Sequence, residues 1–334
     1  MTDWIEVAAR ARGLSGQLLT DDQWRELCGV RELGKLAERF AALGCATAAP
    51  ESRPVSPARL ELAVRRRAGG RLRLLARWAA PRATRLAPLF ADEDRRSLRA
   101  LVRGAVAGIP ADERLATLVP TPLLPIRALT QLAHTPDILT IAGLLMAWRH
   151  PFASALAEET RRHRPDLFRI DVAIARAFAA HARWAADQAD APMQLFVERT
   201  IDIENVWNAI ALAGGPSNVD PAAVFIGGGR LVVVDDLVEA VAGGSLSNAL
   251  DRRIAGTAVA AAVAPGTRAH EDRAIEVLAN EVQRLALRDP LSTAPIIVFA
   301  LRQRIEVRVL FQLIWGIALG ASQHVIEEAI GVAA

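Results

Sequence analysis

The stretch Asp202-Ile203-Glu204-Asn205-Val206-Trp207-Asn208-Ala209-Ile210 decides the fold, because its pattern occurs three times in the 334-residue chain. Apolar residues follow Asp202 at offsets of four, seven and eight, which is the spacing of one face of an α-helix. The same offsets follow Asp94 and Glu306, and the three acids lie 108 and 104 residues apart. A generic amphipathic helix also satisfies these offsets. Read as a repeat, they predict three helical modules of about a hundred residues each.

The rest of the chain also has helical periodicity, so we predict an all-α protein. Apolar stripes with spacings of three and four follow several helix-start signals. Thr20-Asp21-Asp22-Gln23 predicts a capping box. A capping residue followed by proline predicts four further helix starts. These are Ser56-Pro57, Thr135-Pro136, Asp220-Pro221 and Asp289-Pro290.

One stretch has strand-like composition. Val224-Phe225-Ile226 and Leu231 to Val234 flank the triple glycine Gly227-Gly228-Gly229. We interpret it as a loop followed by a buried helix start, with a short hairpin as the alternative.

Composition excludes two classes of protein. Apolar residues make up 52% of the chain, which is far too high for a disordered protein. The only cysteines, Cys28 and Cys45, lie 17 residues apart in a long chain, which excludes a disulfide scaffold and fits a reducing cytoplasm.

The high apolar content raises the question of membrane insertion. A spanning helix needs ~20 mostly apolar residues, and the longest candidate, Val309 to Ala321, has 13 and includes Gln312. The N-terminus lacks the basic and then apolar order of a signal peptide. We therefore expect a soluble, non-exported protein.

The net charge of +3 conceals a strongly basic region, Arg59–Arg103, with 13 arginines against four acids. Six arginines at its centre form a possible interaction surface: Arg65, Arg66, Arg67, Arg71, Arg73 and Arg77. The region is either a solvated face of two long helices or a contact for an acidic partner or anionic lipid head groups. Nucleic acid is a less favoured ligand, because the overall charge is low and no binding motif is present.

A search for catalytic chemistry finds no site. None of the six histidines forms an HExxH pair, and His324 beside Glu327 and Glu328 lacks a third ligand. Gly227-Gly228-Gly229-Arg230 has neither the Lys-Ser/Thr ending of a P-loop nor the glycine spacing of a dinucleotide fingerprint. We predict no catalytic, cofactor-binding or metal-binding residues and no small-molecule substrate. A site built from scattered residues remains an alternative.

The residues quoted above also carry a family resemblance. Trp4, Ala8-Ala9-Arg10-Ala11-Arg12, Leu18-Leu19 and Trp24 resemble the opening of the C-type central-stalk component of the V/A-type rotary ATPases, the d-type component in eukaryotes. Residues 202–206 resemble the acidic-x-x-Asn-apolar helix start of that family. Glu306 through Gly316 resembles its C-terminal copy, with acid and glycine ten residues apart. The resemblance runs from end to end of the chain.

The chain also departs from the family pattern. Ser97 and Val309 occupy the Asn position in the first and third copies, and Ala211 replaces the closing arginine that Arg103 keeps in the first. Phe311 and Trp315 stand where basic residues are common. These changes indicate a divergent member of the family.

The resemblance implies three similar helical modules in an elongated, funnel-like, pseudo-three-fold arrangement, over residues 1–112, 113–218 and 219–334. The N- and C-terminal helices would pack together. An acid or Asn at the start of each motif helix would cap its first turn, so the motif would be structural. The motif residues are Arg10, Arg12, Asp94, Arg103, Asp202, Asn205, Glu306 and Gly316.

The implied function is that of a non-catalytic central-stalk rotor subunit that does not homo-oligomerise. It would couple the membrane proteolipid ring to D- and F-type shaft subunits, at the cytoplasmic face of the membrane, during ion transport and ATP synthesis or hydrolysis. The alternative is an all-helical module that binds nucleic acid or an acidic partner through Arg59–Arg103.

Overall fold

The computed structural model describes residues 4–45, 55–162, 166–213, 219–243, 248–263 and 270–330. Within these ranges the chain forms seventeen α-helices, two short 3-10 helices and no strand, which confirms the all-α class. The α-helices are α1 (Ile5–Ser15), α2 (Asp21–Cys28), α3 (Leu33–Ala42), α4 (Pro57–Ala79), α5 (Ala87–Val106), α6 (Ala111–Ala116), α7 (Ile126–His134), α8 (Ile138–Ala147), α9 (Ala153–Thr160), α10 (Leu167–Ala186), α11 (Ala191–Ala213), α12 (Val234–Gly243), α13 (Asn248–Ile254), α14 (Ala258–Val263), α15 (His270–Arg288), α16 (Ala294–Ala318) and α17 (Gln323–Ile330). The 3-10 helices are Ala83–Leu86 and Pro221–Val224.

Three pairs of long helices dominate the fold. In each pair a leading helix (α4, α10 or α15) is followed by a motif helix (α5, α11 or α16) that contains one of the three repeated acids. All three motif helices begin with the same dipeptide, at Ala87-Pro88, Ala191-Pro192 and Ala294-Pro295. Proline suits the first helical turn, because no N–H in that turn has an intrahelical partner.

The packing of these helices follows a cycle. The motif helix α5 packs on the leading helix α10, α11 packs on α15, and α16 packs on α4. One continuous apolar core runs through all three pairs and includes the fully buried Phe40, Phe178 and Phe299. Burial of one such side chain is worth roughly 1.5–3 kcal/mol. The three pairs therefore stabilise one another through a common core.

The two ends of the chain lie together. Helix α1 packs on α16, and α2 contacts α17. The Arg12 guanidinium donates to the Pro290 carbonyl at 2.7 Å, and Arg31 donates to Gln323 Oε1 at 2.8 Å. Polar contacts therefore fasten the N-terminal helices to the last module.

Two of the helix starts expected from sequence are confirmed. Thr20 Oγ1 accepts from the Gln23 N–H at 3.3 Å, and Gln23 Oε1 accepts from the Thr20 N–H at 2.9 Å, which completes the capping box of α2. Pro57 begins α4 after Ser56.

Three expected starts are wrong in whole or in part. Thr135 ends α7, and the next helix is capped instead by Asp137, whose carboxylate accepts from the Thr140 N–H at 2.7 Å. Asp289-Pro290 lies in a turn before α16. Pro221 begins only a single 3-10 turn, capped by Asp220. Capping pairs also occur in turns, so they do not fix a helix start on their own.

The triple-glycine stretch forms a loop between Val224 and α12. This confirms the interpretation as a loop followed by a helix and not a hairpin. The boundary expected after residue 112 falls inside α6, because α6 already begins at Ala111. The boundary expected after residue 218 follows residues 214–218, which lie outside the described ranges.

Two further expectations concern membrane and redox chemistry. No helix in the described ranges combines the length and apolar character that crossing a membrane requires. Cys28 and Cys45 are free and fully buried, and burial raises the pKa of both thiols.

Candidate functional site: the three motif acids and the arginine-rich stretch

The carboxylate of Asp202 holds the loop that precedes α12. It accepts hydrogen bonds from the backbone N–H groups of Arg230, Leu231 and Val232, at 3.1, 3.0 and 3.1 Å. Asp202 is completely buried; burial raises its pKa, and the three N–H donors oppose that rise. A Cβ at Gly229 would overlap the Asp202 carboxylate, so this close approach requires glycine.

Asn205 lies one turn further along α11 and holds the same loop. Its side-chain amide donates to the Ile226 carbonyl at 2.9 Å, and its Oδ1 accepts from the Ile226 N–H at 2.8 Å. Asn205 is completely buried. The acid and the Asn of the motif therefore act as a pair that attaches residues 226–232 to the motif helix.

The first copy reaches the same result with different side chains. Thr121 donates its hydroxyl to Asp94 at 2.6 Å and accepts from the Leu124 N–H at 2.9 Å. Ser97, at the Asn position, accepts from the Val119 N–H at 3.2 Å. Residues 119–124 precede α7, so Asp94 and Ser97 attach the loop that leads into α7.

Asp94 has a second donor in the buried His150, whose Nε2 lies 3.4 Å from the carboxylate. The Phe152 N–H donates to His150 Nδ1, which assigns the ring proton to Nε2. Burial raises the pKa of the Asp94 carboxyl, while the hydrogen bonds from His150 and Thr121 oppose the rise.

The third copy attaches the N-terminus of the chain. Glu306 accepts from the Leu19 N–H at 2.7 Å and pairs with Arg67 and Arg71, each at 3.2 Å. Both guanidiniums also donate to the Gln17 carbonyl, at 3.3 and 3.0 Å. Residues 17–19 lie between α1 and α2, so this acid holds the loop that leads into α2.

Each motif acid therefore holds a loop from another part of the chain: Asp94 the loop before α7, Asp202 the loop before α12, and Glu306 the loop before α2. The prediction that these acids cap the first turns of their helices is wrong. The motif helices begin well before the acids, at the Ala-Pro pairs. Asp94, Asp202 and Glu306 are buried within the helices and accept from other parts of the chain. The repeated Ala-Pro dipeptide was the sequence signal for the true starts.

A buried group of charges, which we call the central charge cluster, links the three motif helices. Its members are Asp92, Glu93, Arg95, Arg99, Glu204 and Arg304. Arg304 of α16 pairs with Asp92 of α5 at 2.7 Å. Arg95 and Arg99 of α5 pair with Glu204 of α11, the latter at 2.6 Å. The cluster therefore joins α5 to both α11 and α16.

The pKa shifts in the cluster follow from burial and opposite charge together. Burial alone would raise the pKa of Glu204, but Arg95 and Arg99 lower it to about 2. Asp92 behaves in the same way: burial opposes its ionisation, yet Arg304 and Arg95 hold its pKa well below the usual value. The carboxylates are therefore charged at neutral pH and satisfy the buried guanidiniums.

The structure divides the six predicted surface arginines into two sets. Arg67 and Arg71 point inward onto Glu306, and the Arg65 guanidinium lies 4.1 Å from the centre of the Phe311 ring. Arg71 is only 6% exposed and is not available to a partner. The exposed set consists of Arg66, Arg73 and Arg77, which make no ion pair within the described part of the chain. The charge of Arg67 and Arg71 is thus partly neutralised by Glu306 of α16.

The remaining motif residues also make structural contacts. Arg10 lies over the Trp78 ring, 5.3 Å from its centre, and Arg103 pairs with Asp171 of α10. A Cβ at Gly316 would lie 2.9 Å from an Ile326 side-chain carbon, so glycine permits α17 to approach α16. Arg12 donates to the Pro290 carbonyl, as described above. Each of these motif residues therefore connects two different segments of the chain. Among the described residues, no group of three or more His, Cys, Asp or Glu side chains is arranged to hold a metal ion.

Replacement of Thr121 by Val is expected to lower the free energy of unfolding by about 2 kcal/mol, because the buried Asp94 carboxylate and the Leu124 N–H each lose a partner. Chemical denaturation followed by circular dichroism measures the loss. Thr130→Val is the matched control, since the Thr130 hydroxyl bonds only to the Ile126 carbonyl of its own helix. Equal losses in the two variants would contradict a role for Thr121 in holding the loop.

Comparison with known proteins covers nearly the whole chain. A protein-family model described as the ATP synthase (C/AC39) subunit matches residues 7–329. A curated protein of the archaeon Halorubrum lacusprofundi, named as the C subunit of an A-type ATP synthase, is 23% identical over 341 aligned residues. That alignment covers 97% of this chain and 96% of the relative.

Proposed function

Since the chain belongs to the ATP synthase C/AC39 subunit family, a family of non-catalytic subunits of rotary ATPases, we propose that it is the central-stalk rotor subunit of a V/A-type enzyme. In this role it couples the membrane proteolipid ring to the D- and F-type shaft subunits. It sits at the cytoplasmic face of the membrane as a peripheral part of the complex.

The cyclic contact pattern is the observation that carries this proposal. Each motif helix packs on the leading helix of another pair, and each motif acid holds a loop in another third of the chain. The cycle closes because Glu306, near the C-terminus, holds the loop at Leu19. These repeated contacts support a pseudo-three-fold arrangement of three modules, which is the arrangement that the family resemblance implies.

The central charge cluster supports a mechanical role. A rotor adaptor must transmit torque without shearing its modules apart. Asp92, Glu204 and Arg304 come from three different motif helices and are joined by buried, charge-assisted hydrogen bonds. Such bonds are directional and stronger than neutral ones. They resist relative rotation of the three helices more than apolar packing alone would.

Purification of the tagged chain from detergent-solubilised membranes of its own organism tests the proposal. We expect shaft subunits and the proteolipid subunit to be recovered together with it. Glu204→Gln, which we expect to weaken the central charge cluster, should reduce recovery of both. Recovery of the folded, tagged chain without any shaft or ring subunit would contradict the proposal.

The exposed set of arginines is the part of the chain that we propose contacts acidic groups of the complex or anionic head groups beside the ring. Reversal of Arg66, Arg73 and Arg77 to Glu is expected to lower recovery of the complex about tenfold at low salt, because long-range attraction becomes repulsion. Arg67 is left unchanged in this test. Its reversal would break the ion pair with Glu306, and a lower recovery of the complex could then result from misfolding.

The matched control reverses three exposed arginines on other helices or turns, Arg127, Arg161 and Arg169. It changes the net charge equally and should leave recovery unchanged. If both triple variants recover the complex as well as the parent chain does, the exposed set is only a solvated face. Salt-dependent binding of DNA or RNA that is lost in the Arg66, Arg73 and Arg77 variant would favour the nucleic-acid alternative.

A further inference from the structure

An amphipathic cavity of about 340 Å³ lies between α4, α5, α15 and α16, and Glu93 and Arg304 of the central charge cluster form part of its wall. This volume is within the ~300–1,000 Å³ range of small-molecule sites. The apolar part of its lining includes Ala68, Leu72 and Leu89, and the basic part includes Arg65, Arg96 and Arg304.

The lining changes character from the closed side to the open side. Ala68, Leu72 and Leu89 are at most 3% exposed and form an apolar floor. Arg65, Arg96 and Arg304 keep part of their surface in contact with solvent. Cations therefore stand at the mouth, above an apolar floor. A molecule with an anionic head and an apolar chain fits this order.

Two buried polar atoms at the cavity have no hydrogen-bond partner. Gln303 is 3% exposed, and its amide nitrogen donates to the Ala68 carbonyl, which leaves Oε1 without a donor. Arg65 Nε is also buried and without an acceptor. Buried polar groups are nearly always paired in folded proteins. Both residues line the cavity, so a molecule bound there would supply a partner for this acceptor and this donor.

The electrostatics also favour an anion. Burial lowers the pKa of Arg65 to about 10, and burial together with the charge of Arg304 lowers the pKa of Arg96 to about 10. A bound negative charge would stabilise both guanidiniums. Arg304 already pairs with the lining Glu93, and Arg96 pairs with Asp92, so Arg65 is the cation to which a negative group followed by an apolar chain would bind.

We propose that this cavity binds an alkyl phosphate monoester. Near pH 6 the head group has both an acceptor oxygen for Arg65 Nε and a P–O–H donor for Gln303 Oε1, and its chain covers the floor at Leu72 and Leu89. A carboxylate would satisfy only the arginine. A free alkyl phosphate and a membrane phosphatidate share this chemistry. This binding site does not depend on the proposed rotor role. A result that contradicts one proposal therefore does not contradict the other.

Isothermal titration calorimetry at pH 6 tests the binding, with each amphiphile kept below its micellar concentration. Decyl phosphate should bind saturably at one site per chain. Decanoate, decyltrimethylammonium and inorganic phosphate should each bind at least tenfold more weakly. Decanoate lacks the P–O–H donor, decyltrimethylammonium lacks the negative charge, and inorganic phosphate lacks the apolar chain. Absence of saturable decyl phosphate binding, or equal affinity for the cationic amphiphile, would overturn the proposal.

Variants place the binding in the cavity. Arg65→Gln should weaken decyl phosphate about tenfold, and Ala300→Phe, which fills the half-buried wall, should abolish binding. Arg127→Gln is the matched control, because Arg127 is exposed on α7, away from the cavity, and the substitution removes the same charge. Thermal unfolding shows whether each variant is folded. If Ala300→Phe does not fold, the result for Arg65→Gln decides the test. An equal loss in Arg127→Gln would overturn the assignment.

A second measurement distinguishes the two sources of the ligand. The protein is incubated with phosphatidylcholine vesicles containing phosphatidic acid and then separated from them by size. Phosphatidate that co-elutes with the parent chain, but not with Arg65→Gln, would identify a membrane lipid as the occupant. Decyl phosphate binding without phosphatidate transfer would identify a free alkyl phosphate.

Discussion

Replacement of Glu204 by Gln is expected to lower the free energy of unfolding by about 3 kcal/mol at pH 7. Glu204 lies inside the protein between Arg95 and Arg99, and these cations lower its pKa from 4.5 to about 2. Each unit of pKa shift corresponds to about 1.4 kcal/mol of differential interaction, so this shift represents roughly 3 kcal/mol. Gln keeps the shape of the side chain but leaves the fully buried Arg95 with one carboxylate partner, Asp92, instead of two.

The same shift predicts how stability depends on pH. The pKa of Glu204 is lower in the folded protein than in the unfolded chain, so the unfolded chain takes up a proton first as the pH falls. The contribution of Glu204 is complete above pH 4.5 and is lost progressively between about 4.5 and 2. Asp92, whose pKa is also depressed, acts in the same direction. The difference between Glu204→Gln and the parent chain should therefore shrink as the pH falls through this window.

Urea denaturation at pH 7 and at a series of lower pH values measures both effects. Glu198→Gln is the matched control, because Glu198 is on the same helix but half-buried, with no ion pair within the described residues. A half-buried substitution outside such networks is expected to cost under ~0.5 kcal/mol. A Glu204→Gln loss as small as that of Glu198→Gln, or one that does not change with pH, would show that the central charge cluster contributes little to stability.

The sequence indicates the helical class and the threefold repetition because both depend on local periodicity. It does not indicate the central charge cluster, because the partners are far apart: Arg95 and Glu204 are separated by 109 residues. A charge pattern along one chain shows which residues are ionised and not which helix faces them. The starts of the motif helices were missed for another reason, since the Ala-Pro pairs carry no capping side chain.

The arginine-rich stretch shows which part of a surface can be predicted. Arg66, Arg73 and Arg77 are spaced by seven and four residues and so share one helix face, which the structure exposes. Arg71 falls on the face of Ala68 and Leu75, which is buried. Helical periodicity could therefore have separated the two sets. The acid that receives the inward set, Glu306, lies in another module, and local sequence does not reveal it.

The loop before α12 offers the second large effect. Asp202→Ala is expected to destabilise the protein by about 3 kcal/mol, because three backbone N–H groups lose their acceptor and each unsatisfied buried donor costs roughly 1–3 kcal/mol. The expected loss is smaller than three times this cost. Removal of the Asp202 carboxylate also removes the cost of burying its charge, which offsets part of the loss. Gly229→Ala should cost about 2–3 kcal/mol, because the new methyl group overlaps the Asp202 carboxylate.

The double variant separates a specific contact from general damage to the loop. If the methyl group at residue 229 strikes the Asp202 carboxylate, removal of that carboxylate makes room for it. The combined loss should then be smaller than the sum of the single losses by at least ~1 kcal/mol. Gly227→Ala is the control within the same loop, because a Cβ there meets no atom within 4 Å. Additive losses at 202 and 229, measured by urea denaturation, would mean that Asp202 and Gly229 act independently. The fit between motif acid and loop would then not explain why glycine occupies that position.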